Sequence, residues 1–87
     1  MKDDLEQAHK HSSWHAGEIQ RSKKAGCFHC LKVFSPTEIT EWIDENAHKI
    51  GQTALCPYCD VDAVIGDESK FPLTIEFLTT MNKYWFN

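Results

Sequence analysis

The chain has 87 residues, with 13 acidic against 9 basic groups and a formal charge of −4. At this size a hydrophobic core alone is only marginally stabilising, so a further tether is expected. No apolar run approaches the roughly 20 residues that span a bilayer, the opening Met1–Leu5 predicts no signal peptide, and the acidic balance disfavours binding to phosphate backbones.

Residues 3–22 read as a helix. Asp3 supplies a cap and Glu6, three residues on, completes a capping-box pattern. Leu5, Ala8, Ser12, Ala16 and Ile19 recur at helical spacing, but the stripe is thin, and Gly17 weakens it by about 1 kcal/mol relative to alanine. Residues 1–26 are therefore expected to form an N-terminal helical arm and linker, loosely docked or used as a homo-oligomer contact, with Ser22–Gly26 as the polar linker. The segment carries five basic and four acidic residues, whereas residues 27–87 carry four basic and nine acidic.

The most informative feature follows. Cys27-Phe-His-Cys30 and Cys56-Pro-Tyr-Cys59 are two matching C-x2-C hooks with 25 residues between them, and the chain has no other cysteine. Two residues between cysteines let the backbone turn and bring both sulfurs to one ion, and paired hooks at this spacing read as a four-thiolate zinc site. Zinc suits the set because it is borderline soft and imposes no d-electron geometry. The metal ligands are thus Cys27, Cys30, Cys56 and Cys59, and residues 27–87 form the four-cysteine zinc domain, with one structural Zn²⁺ as cofactor. Four thiolates (−4) and one Zn²⁺ (+2) would take the net charge to about −6. Thiols kept for metal rather than disulfides point to the reducing cytoplasm.

Between the hooks the sequence predicts a second helix. Ser35 is its N-cap, Pro36 fits the first helical position and Glu38 sits three residues after the cap. Ile39, Trp42, Ile43 and Ala47 make one apolar face, with Glu38, Glu41, Asp44 and Glu45 as an acidic one and the end near Asn46–Gly51. A short strand over 53–55 leads into the second hook, a returning strand spans 61–65, and 66–72 is a turn-rich loop. The last helix begins near Thr74, with Ile75, Phe77, Leu78, Met81 and Trp85 on its apolar side. The expected core is Phe28, Leu31, Val33, Phe34, Ile39, Trp42, Ile43, Leu55, Val64, Ile65, Phe71, Leu73, Phe77, Leu78, Met81 and Trp85. The fold class is a small α+β zinc-binding domain: an elaborated zinc ribbon with three helices and a short β-hairpin. A treble clef is the alternative, but it would place the last two ligands at a helix N-terminus, and β-prone Val61–Ile65 stands there instead.

Cys-Pro-Tyr-Cys also matches the glutaredoxin active-site tetrapeptide. In that fold the motif follows a buried strand near the N-terminus and opens a helix, whose dipole lowers the first thiol's pKa. Here only 28 residues follow Cys59, they begin β-prone, and a second hook has no role in such a fold. Dithiol redox chemistry is therefore set aside. His29 inside the first hook reads as an exposed residue rather than a fifth ligand, and His48 as a solvent-facing helix-end residue.

His11 and His15 lie four apart on one face of the expected helix, with Glu18 three further on. That pattern makes His11, His15 and Glu18 candidates for a second metal site, and hence for metal-activated hydrolysis. Against it, H-E-x-x-H is absent; the plain alternatives are surface residues or side chains hydrogen-bonded beneath the zinc module. Trp14, Tyr84, Trp85 and Phe86 could form a recognition surface, though core packing is the simpler role. Arg21, Lys23 and Lys24 are the only basic run.

The strings from Gly26 to Ile39 and from Thr53 to Cys59, with the ending Asn82–Phe86, resemble a family of small bacterial proteins labelled only as cytoplasmic or hypothetical. The resemblance covers nearly the whole chain, including Ala8–Ser13, and implies a zinc-ribbon-like core but no activity. Asp60 stands where many zinc knuckles carry glycine after the second cysteine. That position takes positive φ, which aspartate tolerates better than most residues.

The functional expectation is a non-catalytic, zinc-stabilised module that binds another protein through the acidic face or the N-terminal arm. The alternative is a small metal-dependent hydrolase or nuclease using His11, His15 and Glu18. Nucleic-acid binding through Arg21, Lys23 and Lys24 is third, and no membrane contact is expected.

Overall fold

The computed structural model describes residues 2–86. In chain order it contains α1 (Lys2–Lys10), α2 (Ala16–Arg21), β1 (Ala25–Cys27), β2 (Val33–Phe34), a 3-10 turn (Pro36–Glu38), β3 (Trp42–Glu45), β4 (Gly51–Ala54), β5 (Val64–Gly66), a second 3-10 turn (Asp67–Ser69) and α3 (Ile75–Phe86). The result is a small α+β protein with three helices and two antiparallel sheets, one ordered β2-β1-β5 and the other the hairpin β3-β4. Among the described residues no helix is long and apolar enough to cross a membrane.

The helix count matches expectation, and the C-terminal helix stands where it was expected, but the other two do not. The helix foreseen over 3–22 is broken into two. After Lys10 the backbone tightens, with His11 N–H donating to the Ala8 carbonyl and Ser12 N–H to that of His9, while the Ser12 hydroxyl also takes the His9 carbonyl. A serine that bonds its own backbone competes with helix continuation. Trp14 then adopts φ 50° and turns the chain before α2. Asp3 lies within the first turn of α1 instead of capping it.

The helix foreseen after Ser35 is also corrected. The capping box forms, with Thr37 N–H donating to the Ser35 hydroxyl and Ser35 N–H to the Glu38 carboxylate, yet it closes only a 3-10 turn. Trp42–Glu45 runs on as β3. The side chain of Asn46 accepts the N–H groups of His48 and Ile50, and Lys49 takes φ 62°, so the chain folds back onto β4. His48 therefore sits in a hairpin turn, not at a helix end. The i, i+3, i+4 spacing of Ile39, Trp42 and Ile43 fits a helix, but β-branched and aromatic residues beside a turn serve a strand equally well. Pairing with β4 (Trp42↔Ala54, Ile43↔Thr53) settles which. At Gly51 any side chain would collide with the Trp42 backbone, its Cβ lying 2.9 Å from the Trp42 carbonyl carbon.

The core is built on β1. Ala25, Cys27, Phe28, Val64, Ile65, Ala63, Phe34 and Ile39 are joined by Leu78 and Met81 from α3 and by Leu5, Ala8 and Ile19 from the N-terminal helices. The first 26 residues thus share one core with the cysteine-bearing part. Val33 (45% exposed), Ile43 (38%) and Trp85 (37%) lie outside it, contrary to expectation. Val33 is on the outer face of the edge strand β2, while Trp85 lies along α1, donating its indole N–H to the Leu5 carbonyl. Buried alanines carry much of the interior, and small residues give a weak periodic signal. Gly66, the last residue of β5, faces Ser22 so closely that a Cβ would overlap the hydroxyl and lie 2.9 Å from the Ser22 Cβ. Gly66→Ala should therefore lower stability by about 1–3 kcal/mol through overpacking, seen as a lower urea midpoint at unchanged slope.

Candidate metal centre

Each hook is a continuation of sheet geometry. β1 ends at Cys27, the chain turns through Cys30, and β2 returns against β1 (Gly26↔Val33). The second hook lies between β4 and β5, and β5 pairs with β1 (Cys27↔Val64), so one ladder holds the two hooks face to face. The hooks repeat one another bond for bond. Cys27 N–H donates to the Lys32 carbonyl, and Leu31 N–H to that of Cys27; correspondingly, Cys56 N–H donates to Val61 and Asp60 N–H to Cys56. The residue after the second cysteine has positive φ in each, Leu31 at 69° and Asp60 at 64°. The departure noted at Asp60 is accommodated as foreseen. Leu31 is the less expected occupant, since this conformation costs a non-glycine residue about 1–2 kcal/mol.

The four sulfurs lie within 4.8 Å of one another, with Cys27 Sγ 3.7 Å from Cys59 Sγ and Cys30 Sγ 3.6 Å from Cys56 Sγ. Four thiolates at about 2.3 Å from a common centre would be about 3.8 Å apart. A disulfide needs about 2.05 Å, and all four cysteines are free. The tetrad is thus placed to hold one tetrahedral metal ion. Cys27 and Cys56 are buried, whereas Cys30 and Cys59 are half-buried. Peptide N–H groups point at the buried pair: His29 and Cys30 at Cys27 Sγ (3.3 and 3.5 Å), Tyr58 at Cys56 Sγ (3.4 Å).

Burial pushes the Cys27 thiol upward against the pull of the Cys30 and His29 N–H groups, and pushes Cys56 up to about 11. At Cys30 burial acts the same way, but the Lys32 N–H and the neighbouring sulfurs outweigh it and hold that thiol below its ordinary value. A bound cation removes these protons, so loading releases acid and weakens at low pH.

Around the tetrad, Tyr58 leans from the second hook toward the first: its hydroxyl donates to Glu38, its ring lies 5.8 Å from that of Phe34, and Lys32 Nζ sits 5.3 Å from the ring centroid. That bond holds Glu38 below the usual carboxylate range and raises Tyr58. His29 is exposed, its carbonyl accepting from Asn82 of α3 and its ring edge-on to Phe86 at 4.8 Å. Among the described residues, the sulfur tetrad is the only cluster of three or more such donors spaced to hold a metal.

The N-terminal candidates have other employment. His11 Nδ1 lies 3.0 Å from both oxygens of Glu18, with its ring against Phe71. His15 is 4% exposed. Its Nδ1 meets the His11 carbonyl and its Nε2 meets the Ala54 N–H at 3.0 Å, which fixes a neutral ring with the proton on Nδ1. With both nitrogens engaged, His15 has no lone pair left for a metal. Its own N–H donates to the Gln52 carbonyl, so a single residue closes the outer edge of β4. Sequence spacing put His15 on a helix face; nothing in it signals a strand edge 39 residues away.

The acidic face expected on a helix is dispersed. Glu38 is tied to Ser35 and Tyr58, and Asp44 accepts from the Thr53 hydroxyl at 2.7 Å, while Glu41 and Glu45 stand exposed. In the basic run, the N–H groups of Lys23 and Lys24 donate to the Asp67 carboxylate, placing an acid beneath those cations.

No family model matches the chain, and neither a curated protein nor a solved structure matches it.

Proposed function

We propose that this protein is a non-catalytic, zinc-stabilised binding module of zinc-ribbon build that contacts another protein. The observation that carries the metal reading is the sulfur tetrad: four convergent thiols at tetrahedral spacing, leaving no open coordination position for a substrate. The ribbon reading is supported by the two matching hooks and by β5 following Cys59 where a treble clef would have a helix. The glutaredoxin-like tetrapeptide likewise opens no helix here. Zinc is favoured over iron because a closed structural site needs no redox activity.

The binding reading rests on Trp14. A bulky side chain 60% exposed on left-handed backbone is costly twice over, in apolar exposure and in local strain. The chain holds it there firmly, its N–H donating to Thr53 Oγ1 at 2.8 Å. The β3-β4 hairpin that carries Thr53 also exposes Ile43 and Ile50, at 38% and 59%. Elemental analysis of freshly purified protein should find about one zinc per chain; iron, or no metal, would reject the zinc reading. Trp14→Ala should keep the metal and the fold and lose the partner that the native chain retains in affinity capture. Equal retention by both would remove Trp14 from the contact.

A further inference from the structure

The Thr53 hydroxyl joins two exposed side chains of different chemistry. It accepts the Trp14 N–H at 2.8 Å and donates to the Asp44 carboxylate at 2.7 Å, while Thr53 itself is fully buried. An indole 60% exposed and an exposed carboxylate are thus tethered to one fixed point. Strand alternation would send Asp44 to the face opposite Ile43 and its partner Thr53. At Asp44, however, φ is 58°, the alternation breaks, and the carboxylate reaches Thr53 instead.

Charge narrows what can cover these two side chains. Residues 41–54 carry Glu41, Asp44 and Glu45 against Lys49 alone, with His48 in the turn, and the three acids are exposed. The ion pairs among the described residues, His11–Glu18 and Lys70–Glu68, lie elsewhere. A phosphate backbone would be repelled there, and a second copy laid hairpin to hairpin would set acid against acid. A cation suits the indole and the carboxylate together. A guanidinium presents an edge that bonds a carboxylate and a flat face that stacks on an indole, a match that an ammonium lacks. We propose that Trp14 and Asp44 bind an arginine side chain of the partner protein, with Glu41 and Glu45 favouring a basic segment around it. The proposal rests on the binding reading above and names the chemistry of that contact. Thr53 engages Asp44 Oδ2, but a carboxylate has about four lone-pair sites, so both oxygens can still accept from the guanidinium.

The test titrates the isotopically labelled full-length protein, as purified and at low ionic strength, with the capped peptide Gly-Arg-Gly-Arg-Gly, following amide and indole N–H resonances. Saturable shifts are expected at the Trp14 indole and the Asp44 amide. The citrulline analogue, similar in shape but uncharged, should cause none, and the lysine analogue should bind several-fold more weakly. Asp44→Asn keeps an oxygen for the Thr53 hydroxyl and tolerates left-handed backbone. The fold should therefore stay while affinity for the arginine peptide falls several-fold. Trp14→Leu should weaken binding similarly by removing the aromatic face. Equal binding of the citrulline or lysine peptide, or an affinity unchanged by Asp44→Asn, would overturn the proposal. Shifts at Trp14 on dilution without peptide would give the surface to a second copy and overturn it as well. No response to the arginine peptide, with capture still lost in Trp14→Ala, would strike this assignment and leave the broader binding reading standing. No response together with capture retained in Trp14→Ala would strike both.

Discussion

Chelation of the metal-loaded protein is expected to abolish its cooperative thermal unfolding. Structural zinc in small domains supplies an apparent 10–16 kcal/mol or so, as much as the entire stability of a typical domain, about 5–15 kcal/mol. In this chain the loss cannot stay local. β1 is the central strand of its sheet, ends on Cys27, and lies beneath Leu73 and Leu78, which would be within 3.4 Å of a Cβ at Gly26. β5, its other neighbour, is anchored through the second hook. Releasing the sulfurs therefore frees both hooks from the element on which the helices pack. Cys56→Ser should behave like the chelated protein, with a broad, low-amplitude melt in circular dichroism restored by no added zinc. A cooperative transition unchanged by chelator would remove the metal from the account of stability.

The second large effect belongs to His15. His15→Ala leaves the Ala54 N–H and the His11 carbonyl without their partners in a buried setting, and an unsatisfied buried group costs about 1–3 kcal/mol. The combined loss is expected to be about 2–4 kcal/mol, read as a shift in urea midpoint, with metal content retained. His15→Gln, whose amide can accept from Ala54, should recover part of it. Replacement of His11 and His15 together, which a surface arm would tolerate, should be as damaging as His15→Ala alone.

The same residue gives stability a pH dependence of definite sign. Burial lowers the His15 pKa from 6.5; the His11 carbonyl and the Glu18 charge pull it up and a protonated His11 pushes it down, and burial prevails. The unfolded chain then binds the proton more readily than the folded one. Stability is therefore fully present above about pH 6.5 and declines as the pH falls below that value toward the folded-state pKa. Acid also weakens metal binding, so the contribution of His15 is the part of the acid slope that His15→Gln lacks. An identical slope in the variant would mean that His15 does not titrate in this way.

Much of the site was legible in the sequence because hook chemistry is local. Two residues between cysteines and a permissive residue at 60 are statements about adjacent positions, and the local backbone obeys them; the strand expected over 61–65 starts only at Val64. The helix from Ile75 was legible for the same reason: its apolar residues recur at 3.6 spacing and Thr74 is placed to accept the Phe77 N–H. The segment from Ile39 to Glu45 was not. Its apolar positions satisfy two periodicities, and only the partner strand distinguishes them. The break at Ser12–Trp14 was hidden for a related reason, since the hydrogen bonds that compensate for leaving the helix come from Gln52, Thr53 and Ala54.

By itself, then, the sequence determined which four cysteines could serve as a ligand set, the backbone at Asp60 and the C-terminal helix, because these depend on neighbours within a few residues. Tertiary structure alone decided that the hooks meet through β1 and β5, that β3 is a strand, and that His15 is a neutral clamp on the edge of β4 instead of a ligand to a second metal. Those outcomes depend on which distant backbone groups need a partner once burial has removed water from them, and a one-dimensional pattern does not record that demand.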